Sequence, residues 1–203
     1  VGVAIGWLWQ MGWTKFYLRF DEYPLWWMPL SFLLFSIAHE IYFYFSHRWM
    51  HQPRVYRRIH AIHHLSLEPS PWASFCFHPM EAVIESLILP ILVCTIPIHP
   101  VVFITYLTVM TISAINNHLG IELMPRWPVS EHLISASHHA DHHRYFKCNF
   151  GLYFTVLDRV FKTQRRKKYF SVQNGQTSDV TRSQKSKLKV SKQAVDHRKD
   201  RRR

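Results

Sequence analysis

Long apolar runs alternate along this chain with short polar stretches that carry histidine. Val1 to Leu18 is apolar and holds Trp7, Trp9 and Trp13. It reads as the end of a membrane helix, or as an interfacial helix with its rings at headgroup level. Phe20 to Pro24 is a polar break. Leu25 to Phe45 is apolar apart from His39, Glu40 and two serines. As a helix it is long enough to cross the hydrocarbon core of a bilayer, with Trp26 and Trp27 at one end as an aromatic belt. Ionisable groups are costly in lipid, so His39 and Glu40 are expected to face a protein interior. The same helix is expected to run on past the membrane edge and deliver His47 and His51.

Gln52 to Leu67 is polar and basic. Arg48, Arg54, Arg57 and Arg58 are near-membrane cations, the mark of a cytosolic face. Pro69 and Pro71 break any helix there, and Trp72 to Met80 reads as a loop. Ala82–Ile98 and Val101–Ile115 are two further apolar runs, interrupted by Pro90 and joined across Pro97 and Pro100. Each is a little short for a full span. They are expected to form a hairpin that enters the bilayer and returns, closed by Asn116, Asn117 and His118 beside the histidine-rich region. Leu119 to Ser137 connects, with Pro125 and Pro128. The aromatic segment Asn149 to Thr163 is expected to pack as a cap over the site.

The polar stretches carry the chemistry. On a helix, residues three and four apart share a face. His47 and His51 then point one way, as do His60, His63 and His64, and again His139, His142 and His143. Fourteen of the fifteen histidines lie between residues 39 and 143, and eight of them fall into these three clusters. Scattered core histidines do not make that pattern. Eight imidazoles are too many for one tetrahedral zinc site. They suit two metals of higher coordination number, and imidazole suits iron as well as zinc. A non-catalytic membrane metal binder or transporter would string its ligands along a transmembrane path. Here they sit in membrane-edge segments that carry arginine, which favours a cytosol-facing site.

Charge divides the chain in two. The formal net charge of +12 comes from Lys162–Arg203, with fifteen Lys and Arg against Asp179, Asp196 and Asp200. Residues 1–161 are neutral overall. The tail has too little apolar area to offset its ordering entropy and is expected to be disordered. Attached to a membrane body, it is expected to lie against anionic cytosolic lipid. It carries no nucleic-acid motif, and nucleic acid is not an expected partner. Cys76, Cys94 and Cys148 form no paired motif and are expected to be small buried hydrophobes. There is no cleavable-signal pattern, and a chain that opens on Val1 rather than Met is expected to lack its natural start.

Beyond the histidine spacing, the surrounding residues resemble the fatty acid hydroxylase and sterol desaturase superfamily. Tyr44-Phe45-Ser46-His47-Arg48 is similar to that family's Tyr-x-x-His-Arg opening. The stretch from Pro69 to Glu81 resembles the segment after the second histidine box of sterol C5-desaturases, and Asn149 to Arg159 resembles their ending. Those desaturases carry His-Asp where this chain has His118-Leu119, and Gly-Thr where it has Lys162-Thr163. The resemblance implies an all-α membrane helical bundle with a cytosol-facing, histidine-rich helical cap that holds a di-metal site. It implies membrane or interfacial helices over 1–35, a catalytic domain over 36–163 and a basic cytosolic tail over 164–203.

The implied activity is desaturation or hydroxylation of an unactivated lipid C–H position. It uses two irons, for which zinc can substitute, together with O2 and two electrons. The electrons come from NAD(P)H through cytochrome b5 and its reductase or a ferredoxin-type carrier. Sterol-type substrates are favoured, with fatty acyl, sphingoid or carotenoid hydroxylation as the alternative. By position, His47, His51, His60, His63, His64, His118, His139, His142 and His143 match the family's ligands. His138 is an additional candidate, as a ligand or as a donor beside the third box. Glu40 and Asp141 are candidates to orient imidazoles through their second N–H. Trp72, Phe75, Phe77 and His78 are candidate walls of the substrate tunnel. Glu81, with His78, either lines its mouth or supports the box, and otherwise simply starts a helix after Pro79. His99, His132 and His197 are read as non-ligands. The implied location is the endoplasmic reticulum membrane of a eukaryote or the inner membrane of a bacterium, with site and tail in the cytosol.

Overall fold

The first helix, α1 (Gly2–Gln10), is shorter than the apolar stretch that contains it. Gly12 takes a left-handed φ of 70° and ends it. The chain then leaves helical geometry to strap residues 93–98. The Lys15 N–H donates to the Val93 carbonyl at 2.7 Å, and the Ile98 N–H donates to the Lys15 carbonyl at 3.2 Å. The single N-terminal helix expected from composition is therefore a short helix and an extended strap. The computed structural model describes residues 1–66, 70–123 and 132–165. The Glu68-Pro69 break, Pro125, Pro128 and the basic tail from residue 166 with His197 lie outside the described residues. Among those described, the structure is helical, with β pairing limited to isolated bridges.

Helix α2 (Trp27–Met50) has 24 residues and carries His47 in its last turn, with His51 as its C-cap. Its polarity runs inside out. Ser31, Ser36, His39, Glu40, Tyr44 and His47 are buried, while Leu33, Ile37, Ile41 and Phe45 form an exposed stripe at four-residue spacing. A water-soluble helix does the reverse. After α2 the chain turns through α3 (Pro53–Val55), a π-helical turn (Tyr56–His60) and a 3₁₀ turn (His63–Leu65). The second histidine box is thus not on the regular helix that its spacing suggested.

The apolar run 82–98 is divided between α4 (Pro79–Ser86) and α5 (Ile88–Thr95). The next run is a single helix, α6 (Pro100–Asn117). α2 and α6 are both long and apolar enough to cross a membrane. α6, expected to be a little short, reaches that length because it starts at Pro100 and runs to Asn117. It also exposes apolar side chains, among them Val101, Ile104 and Ile112. His78 and His99 begin α4 and α6 alike. Each ring accepts a backbone N–H two residues on, at 3.2 Å, with proline in the first helical position. The chain ends in α7 (Ala136–Tyr145) and α8 (Val156–Val160). Cys76 is exposed rather than buried, because it sits at the end of a surface 3₁₀ turn, and all three cysteines are free.

Residues Val1–Arg165 make one compact unit. Its apolar core joins Phe35, Leu89, Leu92, Val93, Ile98 and Tyr106, with the Phe35 and Tyr106 rings edge-on at 5.5 Å. The C-terminal segment is tied to α2 around Gly151. Asp158 accepts the N–H of Phe150 and of Gly151, and Glu40 accepts those of Leu152 and Tyr153, at distances of 2.7–3.2 Å. A Cβ at Gly151 would stand 2.5 Å from the Phe154 carbonyl oxygen and 3.0 Å from Glu40 Oε1. Gly151→Ala is expected to destabilise the full chain by about 1–3 kcal/mol, read as a lower melting temperature in detergent. An unchanged melting temperature would mean that the close approach is not needed.

Candidate metal centre

Four segments from three regions of the chain bring nine imidazoles together. His47 and His51 come from the end of α2, and His60, His63 and His64 from the irregular turns that follow. His118 caps the end of α6, and His139, His142 and His143 lie on α7. They form two sets. His47, His51, His60, His64 and His142 make the first, and His63, His118, His139 and His143 the second. Within each set the candidate ligand nitrogens all lie within 4.8 Å of one another.

The facing atoms are the Nε2 nitrogens. His47 and His60 meet at 3.2 Å, His60 and His64 at 3.0 Å, His64 and His142 at 3.1 Å, and His142 and His51 at 3.1 Å. In the second set, His63 and His118 meet at 3.3 Å, His118 and His139 at 3.0 Å, and His139 and His143 at 3.1 Å. A metal–imidazole bond of about 2.1 Å puts two ligands at right angles about 3.0 Å apart. Both sets match that spacing.

The far side of several rings is fixed. His47 Nδ1 donates to the Phe150 carbonyl at 3.0 Å, His118 Nδ1 to that of Ala114 at 2.7 Å, and His142 Nδ1 to that of Cys148 at 2.7 Å. A carbonyl only accepts, so Nδ1 carries the hydrogen and Nε2 keeps a lone pair. His60 Nδ1 lies 2.7 Å from Glu81 Oε1, with both side chains fully buried. Burial lowers the His60 pKa, and raises that of Glu81 to about 9 with Glu85 adding to it, so this is a hydrogen bond between neutral groups. A cation on His60 would favour the carboxylate form instead.

Burial is the leading cause of low imidazole pKa values throughout the sets, and neighbouring rings add to it. His51 falls to about 2 and His143 to about 3. His63, His139 and His142 are held well below the ordinary value. These rings are neutral at pH 7, the form that binds metal. Lone pairs turned toward one another in a buried site repel, and a cation between them removes the repulsion. The donors present therefore fit two metal ions.

A cavity of about 280 Å³ opens beside both sets. His47, His60, His63, His118 and His139 form part of its wall, and Phe43, Leu89, Met110, Ala114 and Leu152 much of the rest. Phe75 and Phe77 line it too, with Phe77 stacked on His63 at 5.0 Å. Trp72 is 82% exposed and His78 caps α4, and neither is in the lining.

Other expected residues are placed as follows. His138 is outside both sets, and its carbonyl accepts the Asn149 side-chain amide. Asp141 lies on α7 with its carboxylate 4.0 Å from Arg165. Glu40 faces the interior, but it holds backbone N–H groups of 152–153 where an imidazole was expected. It thereby steadies the segment whose Phe150 carbonyl holds His47. His99 and His132 are outside the sets; His99 caps α6 and His132 contacts Arg159. The carbonyl partners of His47, His118 and His142 and the clamp made by Asp158 carry no sequence signal.

Two sets of neutral imidazoles in a helical frame, beside an apolar cavity, define a chain whose donors could hold metal. The chain belongs to the fatty acid hydroxylase family, whose model matches residues 32–163. It is similar to Delta(7)-sterol 5(6)-desaturase ERG3B of Gibberella zeae, with 30% identity over 76% of this chain and 47% of the relative. Lathosterol oxidase of Mus musculus is 34% identical over 73% of this chain and 50% of its own length. Delta(7)-sterol 5(6)-desaturase ERG3 of Saccharomyces cerevisiae is 30% identical over 76% of this chain and 42% of its own. The chain thus spans about half the length of the curated relatives it matches. No solved structure matches it.

Removing an acceptor that orients a metal-binding imidazole typically weakens metal binding 10- to 100-fold. Glu81→Ala is expected to lose metal by about that factor in a chelator titration, and Glu81→Gln, which still accepts from His60, by less. Equal retention by wild type and Glu81→Ala would remove Glu81 from any role in metal binding.

Proposed function

We propose that this chain carries the catalytic domain of a membrane di-iron lipid oxidase, a desaturase or hydroxylase that acts on sterol-type substrates. The carrying observation is the convergence of nine imidazole Nε2 atoms in two sets at 3.0–3.3 Å. All nine histidines are assigned as ligands, within a domain spanning 36–163. Two irons, when bound, supply the oxidising power to take hydrogen from an unactivated C–H bond with O2 and two electrons.

The protein's own contribution is orientation and exclusion of water. Glu81 and the carbonyls of Phe150, Ala114 and Cys148 hold rings in place. The apolar cavity walls receive a lipid chain or ring and keep water from the site. The inside-out polarity of α2 and α6 supports a membrane setting, in which exposed Leu33, Ile37 and Ile41 face acyl chains. Arg54, Arg57 and Arg58, beside the second box, support a cytosolic site. Such a site would draw electrons from NAD(P)H through cytochrome b5 or a ferredoxin-type carrier. The membrane is then that of the endoplasmic reticulum or a bacterial inner membrane, with the basic tail against anionic lipid.

The test pairs iron content with lipid profiles in membranes that supply sterols and an electron donor. His142→Ala is expected to empty mainly the first set and His143→Ala the second, and the double substitution to leave no bound iron. Wild-type membranes are expected to gain a lipid lacking two hydrogens or carrying one extra oxygen, absent from the double variant. An acyl, sphingoid or carotenoid product in its place would move the substrate within the superfamily. A wild type that binds metal and moves it across vesicles, with no lipid product, would overturn the oxidase reading in favour of a transporter.

A further inference from the structure

The cavity wall contains polar side chains that are not metal-facing, and nearly all of them are already engaged. Ser74 donates to the Pro71 carbonyl, Ser86 to Ala82 at 2.6 Å, and Thr111 to Leu107 at 2.9 Å. The Asn117 amide donates to the Leu152 carbonyl at 3.0 Å, and His39 meets the Tyr106 hydroxyl at 2.5 Å. Glu85 differs. It lines the same cavity, and among the described residues its carboxylate has no hydrogen-bond or ion-pair partner. A carboxyl group without a partner on the wall of a largely apolar cavity is costly unless something that enters the cavity supplies one.

Its position limits what that partner is. Glu85 follows Glu81 by four residues on α4, so the two share a helix face with roughly 5–6 Å between their Cβ atoms. Glu81 in turn touches His60 of the first set at 2.7 Å. A group held by Glu85 therefore lies on the helix face that also supports the first set, in the cavity those rings help to line. The occupant must be apolar over most of its surface, to match these walls, and must offer one hydrogen-bond donor.

We propose that Glu85 determines substrate specificity by accepting a hydrogen bond from a hydroxyl of the lipid. This rests on the lipid-oxidase reading above. Glu85 is a positioning residue for the substrate and holds no metal.

The experiment separates recognition from turnover. Full-length wild type, Glu85→Gln and Glu85→Leu are placed in lipid nanodiscs. Binding of a fluorescent 3-hydroxysterol and of its 3-methyl ether is measured by energy transfer from protein tryptophan. Wild type is expected to prefer the free hydroxyl by about threefold to tenfold, the range for a hydrogen bond between neutral groups. Glu85→Leu is expected to lose that preference at wild-type iron content, and Glu85→Gln, which still accepts, to keep part of it. No preference in wild type, or the same preference in Glu85→Leu, would overturn the proposal. So would loss of iron in Glu85→Leu, which would assign the residue to support of the metal site. Oxidation of the bound sterol is scored separately. A clear preference without any product would leave the anchor standing and sink the oxidase reading.

Discussion

Everything else in this structure depends on the mutual repulsion of buried imidazole lone pairs. Where Nδ1 is tied to a carbonyl, Nε2 has nothing to donate, and it faces a further ring nitrogen at about the distance of two adjacent ligands on one metal. Water could relieve this at a surface, but His47, His60, His142 and His143 are essentially inaccessible. A cation is the species that relieves it in place. Metal binding then becomes part of the folding free energy. It also explains why α7 docks where it does. α7 is largely polar, and its buried positions are mostly His139, Asp141, His142 and His143. Hydrophobic burial alone does not account for its packing there.

The second constraint is the surrounding medium. In lipid, polar groups must find partners inside the protein. The middle of α2 obeys this closely. His39 meets two tyrosine hydroxyls, and Glu40 accepts two backbone N–H groups from the far end of the domain. These contacts aim no metal ligand directly. They fix residues 150–153 against α2, and that segment carries the carbonyl that sets the His47 ring. A helix that turns its polar residues inward for lack of water outside thus also supplies the frame of the site.

The histidine clusters were legible because imidazoles at helical spacing are rare by chance, and α2 was legible from its length and apolar character. The division into two sets was not. Shared-face reasoning groups His60, His63 and His64, whereas the structure gives His60 and His64 to one set and His63 to the other. Four-residue spacing keeps two rings in one set; three-residue spacing separates them. The acceptors behind the rings were hidden for a different reason. Phe150 lies 103 residues from His47, and a main-chain carbonyl has no letter in a sequence. Glu40 was legible as a buried group, but nothing local shows whether its partner is a ring or a backbone amide. Gly12 and the division of 82–98 into two helices were overlooked because apolar composition alone does not mark where a helix stops.

That division couples the two sets mechanically. His63 and His64 are adjacent, as are His142 and His143, and each pair sends one ring to each set. A displacement of either backbone segment must disturb both sets at once, so the spacing between the two sets is held by covalent neighbours rather than by packing. The cavity wall includes His47 and His60 from one set and His63, His118 and His139 from the other. A molecule held in the cavity therefore faces both sets together, and the adjacent residues that straddle the sets keep their spacing fixed at two points.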